Sequence, residues 1–289
     1  MNKTQQFYLT CDGIKLHCKL DLPEAGDAPD RLASAGKDAK PGGSAPVSHM
    51  GEGAPARIPM VIVVPGLSGD MEEQQITSTA EALAGNGYAS LCVELYGHGL
   101  SGGAFHDHTL FHWALEIMYL IDYARNLDYV SELYLCGHSQ GGAAAVLGAG
   151  LKPDVLKGLI LLAPAMLIKD VSMTGGFPVR FFDPDHIPDE TLIFEEEPIS
   201  GNYYRVCRML PFDDAFALYG GKPVLVVHSR TDELVPFRYG EQTAAAYQNA
   251  ELVTIEEDDH CFETHIDRVT DAMIRFLDHL TGHLTSGVK

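Results

Sequence analysis

The chain has 289 residues, 46% of them hydrophobic, enough for one large α/β domain or two small ones. Asp and Glu total 40 against 20 Lys and Arg, and the resulting net charge of -20 argues against nucleic acid and anionic membranes as partners. No apolar run of about 18 residues marks a membrane span, and the opening "MNKTQQFYLTCDGIKLHCKL" lacks the apolar core of a signal peptide.

In chain order, "FYLTCDGIKLHCKLDLP" alternates apolar and polar residues around Asp12-Gly13 and predicts a hairpin. Residues 24–57 then hold 18 Ala, Gly or Pro among 34 and no aromatic, so they read as a flexible low-complexity insertion that cannot bury a core. "PMVIVVPG" predicts a strand buried on both faces. A helical pattern over 72–86 follows, then the strand "YASLCVEL" and the amphipathic helix "LFHWALEIMYLIDYARNL". "ELYLCGHS" predicts a strand, "GGAAAVLGAGL" a small-residue helix, and "LKGLILLAP" another strand. "KPVLVVHS" and "AELVTIE" predict two more strands, and "VTDAMIRFLDHL" the last helix. This alternation implies a single α/β domain over 1–289 with a mostly parallel central sheet flanked by helices. Residues 166–215, rich in Pro, Asp and aromatics, interrupt the rhythm and read as some fifty irregular residues forming a small inserted cap. The six cysteines (Cys11, Cys18, Cys92, Cys136, Cys207, Cys261) show no CxxC spacing, as expected of a reduced cytoplasmic protein.

The chemistry begins at "CGHSQGG". Gly-x-Ser-x-Gly after a buried strand fits a nucleophile elbow, with Ser139 at the apex of a tight turn that only glycines allow. A serine nucleophile needs a base, and the base needs an acid to orient it. Asp232 follows the strand "PVLVVHS" and His260 follows "AELVTIE", so Ser139, Asp232 and His260 stand at carboxyl ends of strands in the order serine, acid, histidine expected of the α/β-hydrolase fold. Glu233 is an adjacent rival carboxylate, Asp258 and Asp259 are rival partners for His260, and His138 is expected to pack beneath the nucleophile. Backbone amides of Gln140, after the nucleophile, and Leu67, after the first parallel strand, are the expected oxyanion-hole donors. In "YGHGLSGGAFHDHTLFHW", His108 and His112 are four apart and compatible with a shared helix face. Helix capping by histidine and aspartate is the preferred reading, and no metal or other cofactor is expected.

"PGLSGDMEE", "ELYGHGLSGG", "DHTLF", "GHSQGG", "LAPA", "GNYYR" and "DHCF" together resemble the cinnamoyl/feruloyl esterases of the α/β-hydrolase superfamily, the intracellular kind of gut bacteria. The resemblance spans almost the whole chain except 24–57. It implies a cofactor-free serine carboxylesterase acting on a small-molecule hydroxycinnamate ester, with its triad at Ser139, Asp232 and His260 and its oxyanion donors at Leu67 and Gln140. It also implies that Asp170 and Tyr203, from the cap, hold the ring hydroxyl of the phenolic acid. Pro65-Gly66 stands where the family usually has His-Gly, so the oxyanion loop is expected to be held differently. Rival readings on the same fold are a broad acyl hydrolase (a short-chain or acylglycerol esterase, or a peptidase) and a catalytically silent binding protein. A homodimer is compatible with the sequence and not required by it.

Overall fold

The computed structural model describes residues 3–23, 57–176, 182–193 and 197–282. Apart from Arg57, the low-complexity segment 24–57 lies outside the described residues. An eight-stranded sheet forms the centre, ordered β1-β2-β4-β3-β5-β6-β9-β10. Its strands are β1 (Lys3–Cys11), β2 (Ile14–Leu22), β3 (Ile58–Val64), β4 (Ala89–Val93), β5 (Val130–His138), β6 (Leu156–Leu162), β9 (Val224–Ser229) and β10 (Ala250–Ile255). β1 and β2 pair antiparallel, and so do β2 and β4, whereas all pairs from β4 to β10 are parallel. The hairpin turn has Asp12 and Gly13 at φ 47° and 84°, the left-handed pair that a two-residue turn between twisted strands requires.

Both faces of the sheet are covered, which is why β3 is apolar at every position rather than alternately. In β3, Met60, Ile62 and Val64 point into one core with Trp113, Ile117 and Leu120, while Val61 and Val63 point into the other with Ile76, Leu83 and Met273. The helices supplying these residues are α2 (Leu110–Arg125) on the first face, and α1 (Gln74–Gly85) and α8 (Ile266–Thr281) on the second. α3 (Ser139–Leu151) is buried on nearly all sides, and its Ala and Gly residues let it lie close to the sheet. α7 (Arg238–Ala246), between β9 and β10, has too few apolar residues for the sequence to announce it. No described helix is long and apolar enough to cross a membrane.

The segment read as a cap from the sequence is more regular than that reading suggests. It contains α4 (Leu167–Thr174), an antiparallel hairpin of β7 (Glu190–Ile193) and β8 (Glu197–Ser200), and α5 (Gly201–Arg208). α6 (Phe212–Tyr219) then leads back to the sheet. Each element has only four to eight residues, shorter than the window over which hydrophobic periodicity declares itself. Basic side chains tie these short pieces together: Lys169 donates to the Leu210 carbonyl at 2.9 Å and Arg208 to the Ser172 carbonyl at 2.8 Å.

Candidate active site

β5 passes directly into α3 at Ser139, whose φ of 54° puts a non-glycine residue in the left-handed region. The flanking glycines are required by close approach. A Cβ on Gly141 would lie 2.2 Å from the Pro65 carbonyl oxygen, and one on Gly137 would lie 2.4 Å from that of Gly141. The strained turn lifts the Ser139 hydroxyl towards a histidine from another loop. Ser139 Oγ stands 2.8 Å from His260 Nε2, and His260 Nδ1 stands 2.7 Å from Asp232 Oδ2. The three residues predicted from strand ends therefore meet in one hydrogen-bonded line.

Asp232 has its carboxylate fully enclosed. Its Oδ1 accepts the amides of Leu234 and Val235 at 2.9 and 2.8 Å, and its Oδ2 faces the rings of His260 and His228. Burial opposes ionisation, but the two histidine N–H groups and the Val235 amide outweigh it and hold the carboxyl well below its usual range. The rival carboxylates have other roles. Glu233 is exposed, Asp259 accepts the amides of Cys261 and Glu263, and Asp258 accepts those of Asp259, Thr264 and His265. Both aspartates thus shape the turn that carries His260.

His138 packs beneath the nucleophile as expected and also supports the base. Its Nε2 donates to the His260 carbonyl at 3.0 Å, and its Nδ1 faces the Gln75 amide at 3.5 Å. Burial, with His260 nearby, pushes its pKa down to about 3, so the ring is neutral and can play both parts. Gln75 also donates to Glu73 at 2.9 Å. Burial, followed by the charge of Asp70, raises the Glu73 pKa.

The expected oxyanion donors flank a tight contact. Gly66 precedes Leu67, and a Cβ on Gly66 would lie 3.0 Å from that of Ser139. The loop turns through a Gly69-to-Gly66 backbone hydrogen bond of 3.3 Å, with Ser68 at φ 59°. Pro65 offers its carbonyl to the close approach of Gly141. Ser68 donates to Glu197 of β8 at 3.0 Å, a tie to the cap with no signal in the sequence. Glu94, also unannounced, accepts the amides of Met71 and Leu100 and so joins this loop to the Gly-His-Gly turn.

Asp170 and Tyr203 have different hydrogen-bond partners. Asp170 is exposed on α4, where its Oδ2 accepts the Tyr239 hydroxyl at 2.8 Å. Tyr203 is 3% exposed, and its hydroxyl donates to Gln140 Oε1 at 2.6 Å. Its polar end is thus turned inward onto the elbow, against the side chain of the residue that follows the nucleophile. The four histidines of the "GHG…DHTLFH" region likewise serve different ends. His108 is enclosed against Tyr203 and His98 and is pushed down to about 3 chiefly by burial. His112 stacks on Tyr96, and His106 bridges Asp107 to Glu190 of β7. The α2 cap is the Thr109 hydroxyl, which accepts the His112 amide, and not the histidine and aspartate expected from sequence.

The family model for serine aminopeptidase, S33, matches residues 57–182, and one for TAP-like proteins matches 202–285. No curated protein matches the chain. Among solved structures, Est1E from Butyrivibrio proteoclasticus with ferulic acid bound is 36% identical, with 96% of this chain and 99% of that one covered and a TM-score of 0.82. A second structure of Est1E gives 34% identity, the same coverage and 0.79. Alpha/beta hydrolase domain-containing protein 10 from mouse, 17% identical over 97% of this chain and 100% of its own, has a TM-score of 0.69 and shares the fold.

Proposed function

The chain belongs to the α/β-hydrolase superfamily, among the esterases that resemble feruloyl esterases, and from that premise we propose that it cleaves hydroxycinnamate esters by serine catalysis through an acyl-enzyme. The observation that carries this reading is the continuous line Ser139–His260–Asp232, with separations of 2.8 and 2.7 Å. His260 Nε2 takes the serine proton as Ser139 attacks the ester carbonyl. Asp232 fixes the tautomer, keeping the proton on Nδ1, and stabilises the imidazolium that forms. The amides of Leu67 and Gln140 receive the oxyanion, and the alcohol leaves with the proton from His260. Water then attacks the acyl-enzyme along the same path.

On the acyl side, Asp170 is the group we assign to the ring hydroxyl. It is exposed, and the Tyr239 hydroxyl fixes the direction of its carboxylate. Tyr203 acts on the reaction through Gln140. The ferulic acid bound to Est1E supports a phenolic acyl group for this chain as well. All six cysteines are free thiols, which supports action in a reducing cytoplasm.

Ser139→Ala removes one hydroxyl and should leave the fold intact while lowering kcat by roughly 10⁴-fold or more. Methyl ferulate, caffeate and cinnamate should be turned over with a higher kcat/KM than short-chain fatty esters. Full turnover by purified Ser139→Ala protein would refute the mechanism. Preference for the fatty esters, or for aminoacyl anilides as the aminopeptidase match would have it, would refute the substrate.

A further inference from the structure

His228 lies near the end of β9, inside the apolar run "VLVVHS", and is 0% exposed. An imidazole so enclosed must either satisfy its nitrogens or justify the cost of leaving one bare. Its Nε2 stands 2.8 Å from the Val235 carbonyl and 3.3 Å from Asp232 Oδ2. A carbonyl and a carboxylate are both acceptors, so Nε2 carries the proton and donates to the two together. Its Nδ1 has no hydrogen-bond partner among the described residues. It backs onto α7, where a Cβ on Gly240 would lie 2.4 Å from it. A second proton on Nδ1 would have no acceptor there. The edge contact with Phe237, centroids 5.8 Å apart, fixes the remaining freedom of the plane.

Asp232 is thereby held at four points. Two amides hold Oδ1, while His260 and His228 hold Oδ2 from opposite partners. The Val235 carbonyl that shares the His228 proton belongs to the same residue whose amide binds Oδ1. One imidazole therefore locks both the carboxylate and the loop that carries it. We propose that His228 is a positioning residue for the reaction, holding the Asp232 carboxylate in the plane that His260 needs and sharing the charge of Oδ2. The proposal rests on the triad reading given above.

Without the His228 donor, His260 is the one remaining side-chain donor at Oδ2 and the carboxylate plane is less closely fixed. A misplacement of this kind costs roughly 10-fold to 100-fold in kcat. KM should stay unchanged, because His228 is enclosed and cannot touch substrate. The test compares His228→Gln, whose side-chain nitrogen reaches as far as Nε2, with His228→Asn and His228→Leu, which place no donor at Oδ2. Gln should retain kcat; Asn and Leu should lose it at constant KM. The far-downfield proton resonance of the His260–Asp232 hydrogen bond should move further downfield in Asn and Leu, where Oδ2 has a single donor, and stay in place in Gln. Equal kcat losses in all three variants, or none in any, would overturn the assignment.

A measurement on the unaltered protein decides the matter even if a variant fails to fold. In histidine-labelled protein, nitrogen shifts should show His228 protonated on Nε2 and bare at Nδ1. The opposite tautomer cannot donate to Asp232 and would overturn the proposal by itself. Ser139→Ala runs beside these variants. If it retains activity, the triad reading has failed; if it is inactive while His228→Leu and His228→Asn match wild type, only the role of His228 has failed.

Discussion

Replacing Tyr203 with Phe removes a single oxygen and separates two accounts of the cap. In the structure that oxygen donates to Gln140 Oε1 at 2.6 Å, and Gln140 is 1% exposed. Phe would leave a buried amide oxygen without a donor and with no route to solvent, a loss of about 1–3 kcal/mol. A chain of this size should then melt lower by a few degrees, at about 2–4 °C per kcal/mol. Gln140 also supplies one proposed oxyanion donor through its backbone, so a loosened side chain should lower kcat by up to about tenfold. That loss should be equal for methyl ferulate and methyl cinnamate, since the oxyanion is the same in both. Asp170→Ala should behave oppositely, losing roughly 1–3 kcal/mol of kcat/KM on methyl ferulate and little on methyl cinnamate. The assays are thermal melting and kinetics on the two esters. If Tyr203→Phe melts like wild type and loses activity only on ferulate, its hydroxyl reads the substrate and the inward reading is wrong.

Two further predictions concern pH. Glu116 is 5% exposed and accepts the Tyr96 amide at 2.9 Å, and burial raises its pKa from 4.5 to about 7. A raised carboxyl stabilises the fold fully below its unfolded value and loses that contribution as pH rises through its folded value. Glu116→Gln should therefore match wild type near pH 4.5 and exceed its stability by about 2–3 kcal/mol at pH 8 in denaturant titrations. Burial pushes His108 and His138 down from 6.5 to about 3, so their contribution is present above 6.5 and is lost as pH falls towards 3. Between about pH 4 and 6 the slope of stability against pH should fall by close to one proton, about 1.4 kcal/mol per unit, in His108→Gln relative to wild type.

What the sequence could reveal follows from how each feature writes itself into it. Ser139 and Asp232 follow β5 and β9, whose inner residues are buried on both faces and read as apolar runs that end where the chemistry starts. His260 instead follows β10, a half-buried edge strand that the sequence marks only by "AELVTIE". The elbow adds glycines whose absent side chains make room for backbone at 2.2–2.4 Å. The cap leaves no such mark, because its helices and strands are too short to show a period. Tyr203 could be assigned to the segment 166–215 from sequence, but the direction of its hydroxyl depends on how α5 packs against α2 and α4, a long-range fact. His228 is hidden for a related reason. A histidine within "VLVVHS" looks like any core residue until the turn after β9 folds Asp232 back against it.

The contacts of Ser68 and Gln140 bear on how such an enzyme could be altered. Each residue is the neighbour or the carrier of a proposed oxyanion amide, and each is held by the cap: Ser68 by Glu197 and Gln140 by Tyr203. The segment that would be exchanged to change acyl preference is thus the same segment that braces the charge-stabilising amides. A cap grafted from a relative would need to bring both anchors at matching positions, or turnover would decline whatever the new pocket recognised. On the proposed roles of Leu67 and Gln140, selectivity and rate would be mechanically joined in this chain, and loops elsewhere on the sheet would be the safer ground for redesign.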